Sequence, residues 1–217
     1  HQTTKPNLWI GGDHYADWLE LGGKYGSFKG PTRDDLVACA YYANTVNLLV
    51  KMGKVLCHDV SDYEQLYNNI RSAFICQFKD NFKTQTEHIL ALQFDLTDNP
   101  QAVADSLAGL IHKQGDIIQT GFVGTPYILH VLSRYGYSHL AYTLLLRKDY
   151  PSWLYPISKG ATTIWEHWDG IKPNGDMCVC QGYLKTDKYV IGNITNYDLD
   201  TIKDSEEYNF WSGLYIQ

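Results

Sequence analysis

The stretch PTRDDLVACAYYANTVNLLVKMGKV, residues 31–55, decides how the rest of the chain is read. Thr32 precedes Asp34 and Asp35, two acids that suit the positive end of a helix. Val37, Ala40, Tyr41, Leu48, Met52 and Val55 then recur at helical spacing, which predicts one long helix. Working outward, Ser61-x-x-Glu64 reads as a capping box that opens a second helix, with Tyr63, Leu66, Ile70, Ala73, Phe74 and Phe78 on one face. Gln85 to Leu96, rich in Leu and Ala, predicts a third.

Asn99-Pro100 places proline at the first position of a fourth helix, whose stripe is Val103, Leu107, Leu110 and Ile111. Thr125-Pro126 opens a fifth that closes near Gly136, and Ser138 caps a sixth running through Leu144, Leu145 and Leu146. Breaks of a few residues between successive helices make neighbours antiparallel. The expectation is an all-α array of helical hairpins without an exact repeat of fixed period. After Gly170 the helical period fades, and Tyr189-Val190-Ile191 reads as a short strand within an irregular tail.

Composition narrows the function classes. A net charge of −6 over 217 residues argues against nucleic acid as a partner. No apolar run approaches the roughly 20 residues of a membrane helix, so no membrane partner is expected either. Five cysteines at scattered spacings, Cys39, Cys57, Cys76, Cys178 and Cys180, read as free thiols rather than a disulfide framework. Cys178-Val179-Cys180 lacks the second ligand pair of a zinc site. Neither a metal nor a cofactor is called for. Residues 1–7 carry no signal peptide and no starting methionine, and the chain is expected to begin inside a longer polypeptide. Its cellular location stays open between cytoplasm and periplasm or exterior.

The segment with most chemistry is Gly160-Ala-Thr-Thr-Ile-Trp-Glu-His-Trp-Asp169. It sets the carboxylate of Glu166 between Trp165 and Trp168, in a run that otherwise reads as interior. A carboxylate in apolar surroundings is costly unless paired, hydrogen-bonded or protonated. Aromatic faces beside an acid are also a way to hold a sugar ring, and 17 tyrosines and 6 tryptophans are enough to line such a surface. A buried, salt-bridged glutamate under aromatic packing explains the same residues.

Several longer segments occur together: Asp17-Trp18-Leu19, Thr84-Gln85-Thr86, Thr120-Gly121-Phe122-Val123-Gly124-Thr125-Pro126-Tyr127, Val131-Leu132-Ser133-Arg134-Tyr135-Gly136-Tyr137, Asp149-Tyr150-Pro151-Ser152-Trp153-Leu154-Tyr155, and the segment from Gly160 to Gly170. In this order they resemble the bacterial α-L-rhamnosidases of glycoside hydrolase family 78. The resemblance implies an (α/α)6 barrel, with residues 1–175 as part of the catalytic domain and 176–217 as a divergent tail. It implies inverting hydrolysis, in which one carboxylic acid protonates the leaving oxygen and a carboxylate opposite activates water.

By the resemblance Glu166 is the general base, and Trp18 and Trp168 are walls of a rhamnose pocket. Asp17 and Asp169 contact sugar hydroxyls or orient neighbours, unless they serve as helix caps or ion-pair partners. The family's Asp-Glu-Arg-x-Gly-Trp acid segment and its histidine after the base have no counterpart here. Six or seven helices are counted where the barrel needs twelve. A fragment of the catalytic domain is therefore expected, inactive or weak alone, with exposed apolar helix faces and the missing half of the domain as a partner. The competing expectations are a non-catalytic sugar-binding or scaffold protein on a degenerate barrel, an (α/α)6 glycosidase for another sugar, and a plain helical interaction module. Trp153, Tyr155, His88, His130 and His139 each have an ordinary explanation in packing or hydrogen bonding.

Overall fold

The computed structural model describes residues 5–23, 28–161, 164, 165, 168, 176–178 and 190–193. Its elements are α1 (Asp34–Val55), α2 (Ser61–Phe78), α3 (Gln85–Gln93), α4 (Pro100–Lys113), α5 (Ile128–Arg134), α6 (Ser138–Leu146), α7 (Leu154–Ser158), β1 (Asp176–Cys178) and β2 (Val190–Asn193). The chain forms two compact units, His1–Thr143 and Leu144–Gln217. The boundary expected near residue 175 falls outside the described residues.

In the first unit α1 packs against α2 and α3 against α4, the two antiparallel hairpins expected from the short breaks. The core between them is built from Leu36, Cys39, Ala40, Ala43 and Val46 of α1, Ile70 and Phe74 of α2, and Val103, Leu107 and Ile111 of α4. α3 lies at the centre: every residue from Gln85 to Leu92 is buried. A helix buried all round must satisfy its polar side chains internally. Gln85 does so by donating to Gln114 Oε1 (2.7 Å) and the Ile117 carbonyl (2.9 Å) and accepting from the Gln119 N–H (3.1 Å).

Helix ends follow the local chemistry, with four departures from expectation, one being that Ser138 is the first residue of α6 rather than its cap. Ser61 does not cap α2: it is the first helical residue, and its N–H and hydroxyl donate to Asp59 Oδ1 at 3.0 and 2.6 Å. Glu64 pairs instead with Lys54 at 2.5 Å. The side-chain cap is at α3, where Thr84 Oγ1 accepts from the Glu87 N–H at 3.2 Å. α3 also stops three residues short of Leu96, because Asp95 turns left-handed (φ 58°) and the Leu96 N–H reaches back to the Ala91 carbonyl at 2.8 Å. α5 starts at Ile128 rather than Pro126, since residues 121–127 are taken up by turns closed by Thr125 N–H to Gly121 O and Tyr127 N–H to Gly124 O, both 3.1 Å.

The α1 stripe needs correction at its C-terminal end. Leu48, Met52 and Val55 are exposed, Val55 at 82 %, and Val46 and Val50 are buried in their place. Leu49 and Leu56 are exposed as well. The second half of this helix is apolar on both sides, so spacing alone could not tell which side faces the core. In the second unit β1 and β2 pair antiparallel, with Asp176 opposite Asn193, which places a strand where Val190 and Ile191 were expected to form one. Among the described residues no helix is long and apolar enough to cross a membrane.

Candidate active site

The first unit presents two of the candidate residues, Asp17 and Trp18, on a well-anchored turn. Residues 16–20, Ala-Asp-Trp-Leu-Glu, contain two non-glycine residues in the left-handed region, Ala16 (φ 53°) and Leu19 (φ 62°). Such backbone costs of order 1–3 kcal/mol per residue and persists only where the surroundings enforce it. The main chain supplies part of that enforcement. Leu19 N–H donates to Phe28 O (2.7 Å), Phe122 N–H to Trp18 O (3.0 Å) and Leu21 N–H to Gln119 O (3.0 Å).

Side chains supply the rest. Asp17 is fully buried, and Thr86 Oγ1 and the Gly121 N–H (2.8 Å) donate to its Oδ2 while the Val123 N–H (2.6 Å) donates to Oδ1. Burial pushes its carboxyl above the ordinary range, and the hydrogen bonds from Thr86, Val123, Gly121 and Gly124 pull against it. The turn can approach so closely because position 121 has no side chain. A Cβ there would stand 2.1 Å from the Trp18 carbonyl oxygen. At Gly124 a Cβ would meet Thr86 Oγ1 at 2.4 Å. The Thr-Gly-Phe-Val-Gly segment is thus a backbone cradle for Asp17.

Three residues on, Glu20 is buried too. Its Oε2 accepts from the Thr32 N–H (2.8 Å) and its Oε1 from Thr32 Oγ1 (2.7 Å), which lies 2.6 Å from Thr84 Oγ1. Burial is the main cause that pushes Glu20 up to about 7; the Thr32 bonds oppose it, and the charges of Asp17 and Glu87 add to it. Glu87, also fully buried, is held by Arg33: Nε to Oε1 at 2.8 Å and Nη2 to Oε2 at 3.0 Å, with the Lys83 N–H at 2.6 Å. Glu20 and the Arg33–Glu87 pair were not singled out from sequence, and Thr32 was read only as part of a helix start. The visible signal was Thr84-Gln85-Thr86, quoted for its resemblance and here seen to supply two hydroxyls to this network.

Trp18 itself is half-buried. Phe28 lies against its ring (centroids 4.9 Å, planes 32° apart), and Tyr15 meets it edge-on (5.5 Å, 82°) while remaining 75 % exposed. Both carboxylates beside Trp18 point away into the protein, and the indole is left on the partly open side with Tyr15.

In the second unit Trp168 is half-buried and packs edge-on to Trp153 (5.5 Å, 85°). Ser152 is fully buried and accepts from the Tyr155 N–H at 3.1 Å. Glu166, His167 and Asp169 lie outside the described residues. His88 is a hydrogen-bonded core histidine, with Nδ1 2.7 Å from the Thr84 carbonyl and Nε2 3.0 Å from Ser106 Oγ, and burial lowers its pKa. No group of three or more His, Cys, Asp or Glu side chains with metal-ligand geometry occurs among the described residues.

Comparison with known proteins places the chain in a family. Residues 1–196 match the family model of the bacterial alpha-L-rhamnosidase 6 hairpin glycosidase domain. An alpha-L-rhamnosidase of Streptomyces avermitilis is 38 % identical over 170 residues, covering 75 % of this chain and 16 % of that protein. One from Formosa agariphila is 37 % identical over 179 residues, covering 78 % of this chain and 19 % of the relative. Among solved structures, Streptomyces avermitilis alpha-L-rhamnosidase complexed with L-rhamnose superposes with a TM-score of 0.69 at 35 % identity, over 80 % of this chain and 17 % of that one. Native alpha-L-rhamnosidase from Aspergillus terreus gives 0.72 at 32 % identity, over 80 % of this chain and 22 % of that one.

Fold and comparisons together define a helical-hairpin glycosidase domain. Within that class, the chain belongs to the bacterial α-L-rhamnosidase six-hairpin family. It spans about a sixth to a fifth of the length of the curated relatives it matches.

Proposed function

We propose that this chain contributes the water-activating side of an inverting α-L-rhamnosidase site. The substrate class is terminal α-L-rhamnosides, and Glu166 is the general base. The relation at 35 % identity to an enzyme solved with L-rhamnose carries this reading. In an inverting reaction the base takes a proton from water as the water attacks the anomeric carbon from the face opposite the leaving group. A second carboxylic acid gives its proton to the departing oxygen. That acid is assigned to sequence outside this chain, because no Asp-Glu-Arg-x-Gly-Trp segment occurs in it.

Trp18 and Trp168 are proposed as apolar walls for the sugar, suited to the deoxygenated C6 methyl of rhamnose. The partial exposure of Trp18 on an enforced turn supports its part. Of the two parts open to Asp17, orienting its neighbour fits the geometry, since both oxygens are engaged by Thr86, Gly121 and Val123. Asp169 is proposed to contact a sugar hydroxyl or to orient Trp168.

The test is hydrolysis of p-nitrophenyl α-L-rhamnoside by the chain and its Glu166→Gln variant, beside the same substitution in a longer polypeptide that includes the acid segment. The expected result is little or no turnover by the chain alone. Glu166→Gln should then cost the longer polypeptide about 10²–10⁴-fold in kcat, with binding of L-rhamnose retained. A longer polypeptide indifferent to the substitution removes Glu166 from the role of base. L-rhamnose binding without turnover in both would favour a sugar-binding protein.

A further inference from the structure

The residue that neither sequence nor kinship assigned is Glu20. It shares a five-residue turn with Trp18, its carboxylate is buried, and its partners lie outside that turn: Thr32 just before α1 and, through the Thr32 hydroxyl, Thr84 at the cap of α3. Asp17 makes the corresponding connection from the other side of Trp18, to Thr86 on α3 and to the backbone at 121 and 123. The Trp18 backbone is therefore held between two carboxylates that pull toward the interior. Of the left-handed residues, Leu19 lies within this clamp and Ala16 directly precedes it. Gly30 shows how tightly Glu20 is seated, since a Cβ there would fall 2.3 Å from both its Cβ and its Oε2.

We propose that Glu20 is a positioning residue, which together with Asp17 locks the strained 16–20 turn and so sets the angle at which the Trp18 ring faces the sugar. The functional half of this statement rests on the reading of Trp18 as a rhamnose wall; the structural half does not. As a carboxylate, Glu20 meets a donor at each oxygen, the Thr32 N–H and hydroxyl, although burial disfavours its charge. Protonation leaves one of those positions carrying its own hydrogen. The Thr32 hydroxyl then has to reverse and donate toward Thr84, and the hold on the turn changes. The charges around Glu20 are Asp17 and Glu87, the latter neutralised by Arg33, so no cation opposes that protonation directly.

The test uses the whole chain, isotopically labelled, and follows the indole N–H signal of Trp18 by ¹H–¹⁵N NMR, assigned by its loss in Trp18→Phe. In the wild type this signal should titrate with a midpoint near the pH of about 7 at which Glu20 changes charge. In Glu20→Gln it should be shifted or broadened and should no longer titrate, while the Trp153 signal in the other unit stays in place. L-rhamnose binding, read by calorimetry, should weaken about tenfold in the variant, the scale of one mis-set aromatic contact. If Glu20→Gln gives no dispersed spectrum, Thr32→Val removes one donor to Glu20 at smaller cost and is expected to perturb the Trp18 signal likewise. A Trp18 signal unmoved in the variants overturns the proposal. A moved signal with unchanged L-rhamnose affinity overturns its functional half. A wild-type chain that binds no L-rhamnose, but whose Trp18 signal responds as expected, removes the rhamnose-wall reading and supports the clamp.

Discussion

Replacing Gly121 with alanine tests the central packing claim, that the 16–20 turn sits directly on the backbone of the 120–124 segment. The added Cβ would lie 2.1 Å from the Trp18 carbonyl oxygen, 2.6 Å from the Glu20 nitrogen and 2.7 Å from Asp17 Oδ1. Two of these atoms are main chain and cannot rotate away. Relief requires the two segments to separate, which stretches the Gly121 and Val123 bonds to Asp17 and the Phe122 bond to Trp18. Overpacking costs about 1–3 kcal/mol, and a hydrogen bond to a charged group contributes about 1.5–3 kcal/mol. A loss of about 4 kcal/mol is expected, equivalent to roughly 8–16 °C in Tm for a chain of this size.

Gly109→Ala is the control. It lies within α4, and a Cβ there meets nothing within 4 Å, so it should stabilise the helix by about 0.5–1 kcal/mol. Urea titrations followed by circular dichroism would measure both variants. A Gly121→Ala protein within about 1 kcal/mol of the wild type would refute the close-approach argument.

Three further outcomes follow from buried groups. Arg33→Met leaves the fully buried Glu87 without its ion-pair partner and should cost about 3–5 kcal/mol by calorimetry, part of it recovered by adding Glu87→Gln. Glu20 has its carboxyl raised in the fold from 4.5 to about 7, so the fold favours its protonated form. Its contribution is therefore fully present below pH 4.5 and is lost as pH rises toward 7. That amounts to a slope of about 3 kcal/mol in all, which should vanish from denaturation curves of Glu20→Gln. Finally, Ellman's reagent at pH 8 should modify Cys57 and Cys76 quickly and spare Cys39, which is buried and whose thiol burial pushes up to about 11. Rapid reaction at Cys39 in the folded chain would contradict its place in the core.

The helices were legible in the sequence because their signals are local. Pro100 at a first turn and acids at 34 and 35 act within a few residues, and the starts of α1 and α4 agree with them. The ordered motifs carried the family, since each fixes several residue types at once. Local signals failed where two readings satisfy the same spacing. Ser61 and Glu64 look like a cap but pair with Asp59 and Lys54. Leu48, Met52 and Val55 look like core but face outward, on a helix apolar on both sides.

Sequence by itself thus determined the hairpin array and named Trp18, Trp168, Asp17, Asp169 and Glu166 as candidates. What Asp17, Glu20, Thr86 and Gly121 do depends on contacts across 12 to 104 positions of chain. A buried carboxylate is acceptable only where distant donors converge on it, and a glycine is required only where another backbone arrives. Neither condition is written in the residues nearby. Tertiary structure alone decided that the acids beside Trp18 turn inward and hold it in place.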